Sequence, residues 1–372
     1  MILKAYLIAT FAFGAIVELN KNQKVKELYL KAVFLTAFII AGLRGISVGR
    51  DTASYFSIFN RISEFGITEL PRSTELEKGY MILCWLLSKI SDSPQILLVV
   101  SSGIISYSFY IIIKKYSDNY LLSSLIFIAT IFTVTMNVTR QYIALGFIFL
   151  AFINIIDKNK RRALVFMALA ISMHYSAILF LPIMIFSFEK INLTKRRLVV
   201  MGFGMILIIP LFSALLDLIV SLFPQYNRFL GSERYSMTSE ISTQMILYMA
   251  VIMVCIVIGM KIQHNAENPE DSSEKLLVKE DTQYYLFVFL FIGYVVSYVV
   301  STKMLMAYRM VYYFQASQVI VIPNMINRLS NTKLEKSNRI LSAVFVAYFI
   351  YTGINYIRVD PHDVLPYTFF WE

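Results

Sequence analysis

Apolar runs of membrane-crossing length follow one another along nearly the whole chain: 2–19, 28–43, 94–113, 120–136, 140–156, 163–187, 198–222, 243–262, 283–301, 306–328 and 339–357. A helix needs about 20 such residues to cross ~30 Å of hydrocarbon. Composition agrees. Apolar residues make up 58% of the 372 and charged residues 16%, with mean hydropathy +0.64, against about 45–50% and about 25% in soluble domains. A cytosolic enzyme, a secreted domain and a disordered chain are excluded. The expected fold is all-α: one integral-membrane domain over 1–372, a polytopic helix bundle with about 10–12 membrane segments.

Two runs are ambiguous. Gly79–Ile90 is too short to cross, and 163–187 is interrupted by His174 and Pro182. The first run resembles a signal peptide but lacks a small-residue cleavage site, so it reads as an uncleaved span. Lys and Arg in short loops set orientation. With 79–90 at the interface and 163–187 broken or re-entrant near His174, segments 20–31, 114–119, 157–162, 188–197, 261–282 and 328–339 face the cytoplasm. They hold 21 of the 34 basic residues, as 15 Lys and 6 Arg. The outer side then carries 9 Arg and 4 Lys. Arginine's planar fork suits phosphate better than lysine does. This layout makes 44–78 and 223–242 outer loops and 263–282 a cytoplasmic loop.

Other signals are weak. Cys84 and Cys255 lie in apolar runs and read as packing residues. Histidines at 174, 264 and 362 are scattered, so no metal site is expected. No P-loop, HExxH, GxSxG or dinucleotide glycine fingerprint is present, and no cofactor is expected. The net charge of +10 reflects loop lysines and arginines, not a nucleic-acid surface. Gly45 and Gly49 read as turn glycines, and the Asn137-Val-Thr139 sequon as chance.

The candidate chemistry sits at the outer ends of spans. One cluster is Arg44-Gly-Ile-Ser-Val-Gly-Arg50-Asp51-Thr52 with Tyr55; the plain alternative is a loop held by an Arg–Asp pair. A second is Asn137-Val-Thr-Arg140-Gln141. Arginine at membrane level is costly and usually functional or paired, the alternative being a snorkelling anchor. The third is Ser172-Met-His174-Tyr-Ser176, a polar break tolerated at depth only inside protein or beside a wet cavity. Further candidates are Lys303 with Tyr308 and Arg309, then Glu75, Glu77 and Gly79, then Tyr226, Arg228, Arg234 and Tyr235.

The pattern Arg44…Gly49-x-Asp51-Thr52…Tyr55, Glu77-x-Gly79-Tyr80, Asn137-x-x-Arg140-Gln141-x-x-Ala144 and His174-x-Ser176-Ala177 resembles the EpsG-like family of bacterial polysaccharide polymerases, proteins of Wzy type. The motifs cover roughly residues 1–190; Arg50 departs from the small or polar residue expected there. The resemblance implies a multi-pass protein of the bacterial cytoplasmic membrane. Its substrates would be oligosaccharide repeat units on undecaprenyl diphosphate, joined at the outer face by glycosyl transfer. Its surroundings would be membrane lipid, with a chain-length regulator as a candidate partner. An acceptor hydroxyl attacks the donor's anomeric carbon and undecaprenyl diphosphate leaves. In this reading Arg44, Arg140 and Arg309 hold the diphosphate, with Arg50 a fourth candidate. His174 acts as base or, as a cation, binds phosphate. Asp51 is the second candidate base or orients the acceptor. Tyr55, Glu77, Gln141 and Tyr308 complete the substrate-binding set. The rivals are an O-antigen ligase, a lipid-linked oligosaccharide flippase and a membrane acyltransferase. A ligase usually carries a large outer loop, whereas the longest here, 44–78, has about 35 residues.

Overall fold

The computed structural model describes residues 1–66, 76–181, 242–266, 274–302, 308–330 and 335–372. Among these, every regular element is helical. They are α1 (Ile2–Glu18), α2 (Gln23–Gly42), α3 (Thr52–Phe65), α4 (Lys78–Ser88), α5 (Gln95–Tyr116), α6 (Tyr120–Thr130), α7 (Phe132–Asn137), α8 (Thr139–Ile156) and α9 (Lys160–Met173). A 3₁₀ turn follows at Tyr175–Phe180, then α10 (Thr243–Ala266), α11 (Glu274–Ser301), α12 (Tyr308–Gln315), α13 (Gln318–Ser330) and α14 (Glu335–Val359). The fold is the all-α membrane bundle that the apolar runs require. Gln95–Tyr116, Thr139–Ile156 and Arg339–Val359 are long and apolar enough to cross a bilayer. Tyr120–Thr130, Met245–Ile258 and Leu286–Ser301 are shorter apolar helices. The 44–78 stretch contains α3, and α11 begins inside the 263–282 stretch.

The chain divides into two compact units, Met1–Phe188 with Ala343–Glu372, and Glu189–Ser342. In the first unit Ile8, Phe13 and Ile16 of α1, Leu28 and Leu35 of α2, and Val344, Tyr351 and Ile354 of α14 are exposed. Such an apolar exterior suits lipid as the solvent and would be an aggregation surface in water. Inside, aromatic rings fill the helix junctions: Phe109 meets Phe127 at 4.8 Å and Phe149 at 5.2 Å.

The two ends of this unit differ in chemistry. At one end the helix turns meet through lysines: Lys26 with Glu18 at 3.4 Å, Lys114 with Glu27 at 2.8 Å and Lys115 with Asp157 at 2.5 Å. At the other end lie Arg44, Glu77, Arg140 and His174. Helix α4 stays at that second end. It starts beside Arg140 and reaches α5 through the short turn 89–94. The first residue of α5, Gln95, donates to the carbonyls of Gly42 (2.6 Å) and Arg44 (3.2 Å). Helix α9 breaks where His174 turns extended (φ −156°, ψ 117°), and the 3₁₀ turn carries Phe180 to within 6.0 Å of Phe152 on α8.

In the second unit α11 packs against α12 and α13, and α10 against α13. Tyr248 donates to Gln318, and the Arg328 guanidinium lies 4.0 Å over the Tyr284 ring.

Candidate active site

Two glycines set the backbone of the site. Gly49 has φ +91°, and a Cβ there would stand 2.8 Å from the Met136 carbonyl oxygen. Only glycine fits that left-handed, close approach. It turns the chain after α2 so that the Arg50–Asp51 peptide faces the end of α7. At Gly79 a Cβ would collide with the Ser172 Oγ and stand 2.7 Å from its carbonyl oxygen. The first turn of α4 therefore lies directly on the last turn of α9, and Glu77 reaches His174.

Glu77 is the hub. It is 4% exposed and stands in extended geometry (φ −65°, ψ 129°) just before α4. One carboxylate oxygen meets His174 Nδ1 at 2.5 Å. The other accepts from the Arg140 guanidinium. Burial alone would raise the Glu77 pKa, but the His174 hydrogen bond and the Arg140 charge prevail and hold it below the usual carboxylate range. A carboxylate accepting at Nδ1 places a proton there, so the neutral ring carries its lone pair on Nε2. Arg140 lies in the first turn of α8, where a cation opposes the helix dipole. Glu77 offsets that cost. The Arg140 side chain also lies 5.5 Å over the Tyr80 ring and keeps 23% of its surface open. Tyr55 backs the cluster, its ring 6.2 Å from Tyr80 and its hydroxyl donating to the Asn137 carbonyl at 2.8 Å. The assembly offers an oriented base, a partly open cation and an aromatic wall. Among the described residues no three His, Cys, Asp or Glu side chains gather as metal ligands.

The EpsG family model matches residues 27–369. The chain belongs to the EpsG family. No curated protein and no solved structure matches it. Family and fold together make it a multi-pass membrane protein of polysaccharide biosynthesis.

Within this EpsG-family chain the motif residues part into distinct settings. Glu77 touches both His174 and Arg140, with Tyr55 behind them. Gln141 is buried beside them on α8. Asp51, half-buried, opens α3, and its amide donates to Asn137 Oδ1 at 3.1 Å. Arg50 is exposed and pairs with Asp363 at 2.8 Å. Arg44 is 1% exposed, and its guanidinium is turned inward. It donates to the carbonyls of Ala41 (2.5 Å) and Met136 (3.0 Å), in the last turns of α2 and α7. A cation at two helix C-termini stabilises both. This setting ties helices together and shows no open face for a ligand. Tyr308 and Arg309, both exposed, open α12 in the second unit. Lys303, Glu75, Tyr226, Arg228, Arg234 and Tyr235 lie outside the described residues, as do Pro182 and the 198–222 run.

The C-terminal tail was missed in the sequence. The Gly45 amide donates to the Thr368 carbonyl (2.8 Å), Gly49 to Asp363 (2.7 Å), Arg50 to His362 (3.1 Å), and Phe370 donates to Leu43 (3.0 Å). These are backbone bonds, and backbone pairing leaves no side-chain pattern to read. The available signal was the run Asp360-Pro-His-Asp363 directly after the last span, a polar turn too rich in titratable groups for a simple terminus.

Proposed function

We propose that this protein is a membrane glycosyltransferase that polymerises oligosaccharide repeat units carried on undecaprenyl diphosphate into a surface polysaccharide. The reading rests on one observation above all: Glu77 bridges His174 and Arg140 at one end of the bundle of an EpsG-family chain. The lysine-bearing turns at the opposite end support a cytoplasmic side for that end by the positive-inside rule. The cluster then faces outward, where finished repeat units are presented.

The acceptor sugar's hydroxyl oxygen bonds to the donor's anomeric carbon. The bond from that carbon to the diphosphate oxygen breaks, and undecaprenyl diphosphate departs with the electron pair. The hydroxyl proton passes to His174 Nε2. Glu77 fixes the ring and stabilises the imidazolium as it forms, the logic of an oriented base. Arg140 offsets the charge on the departing diphosphate, and loss of one such donor typically costs ~10²–10³ in rate. Arg50 and Arg309 remain candidate phosphate contacts. Asp51 remains the second candidate base, Arg44 acts through the backbone it holds, and a chain-length regulator remains a candidate partner.

The direct test is reconstitution. The purified protein in lipid nanodiscs is given synthetic undecaprenyl-diphosphate repeat units, and polymer and released undecaprenyl diphosphate are followed together. Equal formation of glycosidic bonds and free lipid diphosphate supports the reading. Transfer of whole chains to a second acceptor, or no new bond at all, would refute it.

A further inference from the structure

We propose that His362 is a positioning residue of this site: through the Asn137 side chain it locks the Arg50–Asp51 turn to the peptide that leads into Arg140. The inference rests on the polymerase reading for its consequence in rate, but its structural content stands on geometry alone.

Asn137 closes α7, and Val138 (φ −91°, ψ 47°) then breaks the helix just before Arg140. Three bonds converge on Asn137. Its Oδ1 accepts from the Asp51 amide at 3.1 Å, its carbonyl accepts from the Tyr55 hydroxyl at 2.8 Å, and its Nδ2 lies 3.1 Å from His362 Nδ1. The Asp51 amide can only donate, so the Asn137 oxygen must face it. The Asn137 NH₂ must then face His362 and needs a lone pair on Nδ1. The ring proton therefore sits on Nε2, 2.8 Å from the Tyr356 hydroxyl. Only the neutral Nε2–H form of His362 satisfies both ends of Asn137. An imidazolium would set N–H against NH₂. Turning the amide over would move the same clash to Asp51.

The surroundings favour the neutral ring. His362 is 5% exposed. Arg50 faces it from the turn after α2, Asp360 and Asp363 from the tail itself, and Tyr356 from α14. Burial and the Arg50 charge outweigh the two carboxylates and pull its pKa from 6.5 to about 4. The tail is thus part of the site's frame, although none of its side chains needs to touch substrate.

The test uses His362→Ala and His362→Asn, since the Asn Oδ1 can replace Nδ1 as hydrogen-bond acceptor. Amide hydrogen exchange at Asp51, read on the purified protein, should quicken in His362→Ala and return towards wild type in His362→Asn. In the nanodisc assay kcat should fall about tenfold to a hundredfold in His362→Ala, the scale of a small misplacement, with KM little changed. Protonation of the base lowers the rate of both proteins as pH falls, but the wild-type rate should fall further and reversibly towards pH 4 than that of His362→Asn. Unchanged Asp51 exchange in His362→Ala would overturn the lock. Faster exchange with an unchanged rate would overturn the positioning role. An inactive wild type would instead sink the polymerase reading, and the exchange result would still decide the lock.

Discussion

Glu77 gives one oxygen to His174 and the other to Arg140, so substitutions there separate charge from shape. Glu77→Gln keeps the shape but offers an acceptor to only one partner. The polymerisation rate should fall about 10²–10⁴-fold, the range for losing an oriented base, while the fold survives. Glu77→Ala leaves the Arg140 charge without its acid, and should destabilise the protein by about 3 kcal/mol. Adding Arg140→Ala should return part of that loss, a coupling that thermal unfolding of all four forms would read. Arg44 and Arg140 should separate in the same way. Arg44→Lys should lower the amount of folded protein in membranes, because a lysine cannot serve the Ala41 and Met136 carbonyls together. Arg140→Lys should leave the amount unchanged and shorten the polymer; immunoblot beside polysaccharide gel distinguishes the two. In the sequence both arginines look alike, each a cation at the end of a span. Which one turns inward depends on carbonyls freed at a helix break, and those cannot be located before α7 and α8 are separated.

Helix α4 shows what an element contributes. Its shortness was legible, and eleven residues cannot cross a bilayer. Its role in aiming Glu77 was not, because Ser172 lies far along the chain. The break at His174 was also legible, from a polar trio inside an apolar run. A Cβ at position 79 would meet the Ser172 carbonyl oxygen at 2.7 Å, and backbone cannot step aside as a side chain does. Gly79→Ala should therefore lift α4 off α9, part Glu77 from His174 and abolish long chains, with little loss of folded protein. Gly49→Ala acts differently. It forces a side chain into φ +91° against the Met136 carbonyl and should cost about 1–2 kcal/mol, lowering the thermal midpoint before it changes the rate.

For the whole molecule, the helical fold follows from hydropathy, and within the first unit the apolar exterior and the two chemically distinct ends follow from hydropathy and charge. Joining 44–52, 77, 137–140 and 174 into one site needed the packing, and docking of the tail needed backbone pairing. That tail gives a pH signature. The His362 pKa, about 4 when folded against 6.5 unfolded, means that the unfolded chain takes up its proton first as pH falls. Its stabilising contribution, about 3 kcal/mol, is complete above pH 6.5 and is lost as pH falls towards 4. Glu77, held low, acts in the same direction. The thermal midpoint should fall across that interval, and fall less in His362→Asn. The central claim is that Glu77, His174 and Arg140 form the centre of a polysaccharide polymerase. It is tested most directly by the length profile of surface polysaccharide from a deletion strain, complemented with wild type, Glu77→Gln or His174→Ala at matched membrane levels. The account predicts a ladder of long chains with wild type and its collapse to a single repeat unit with either variant. Long chains of undiminished length from both variants would contradict it.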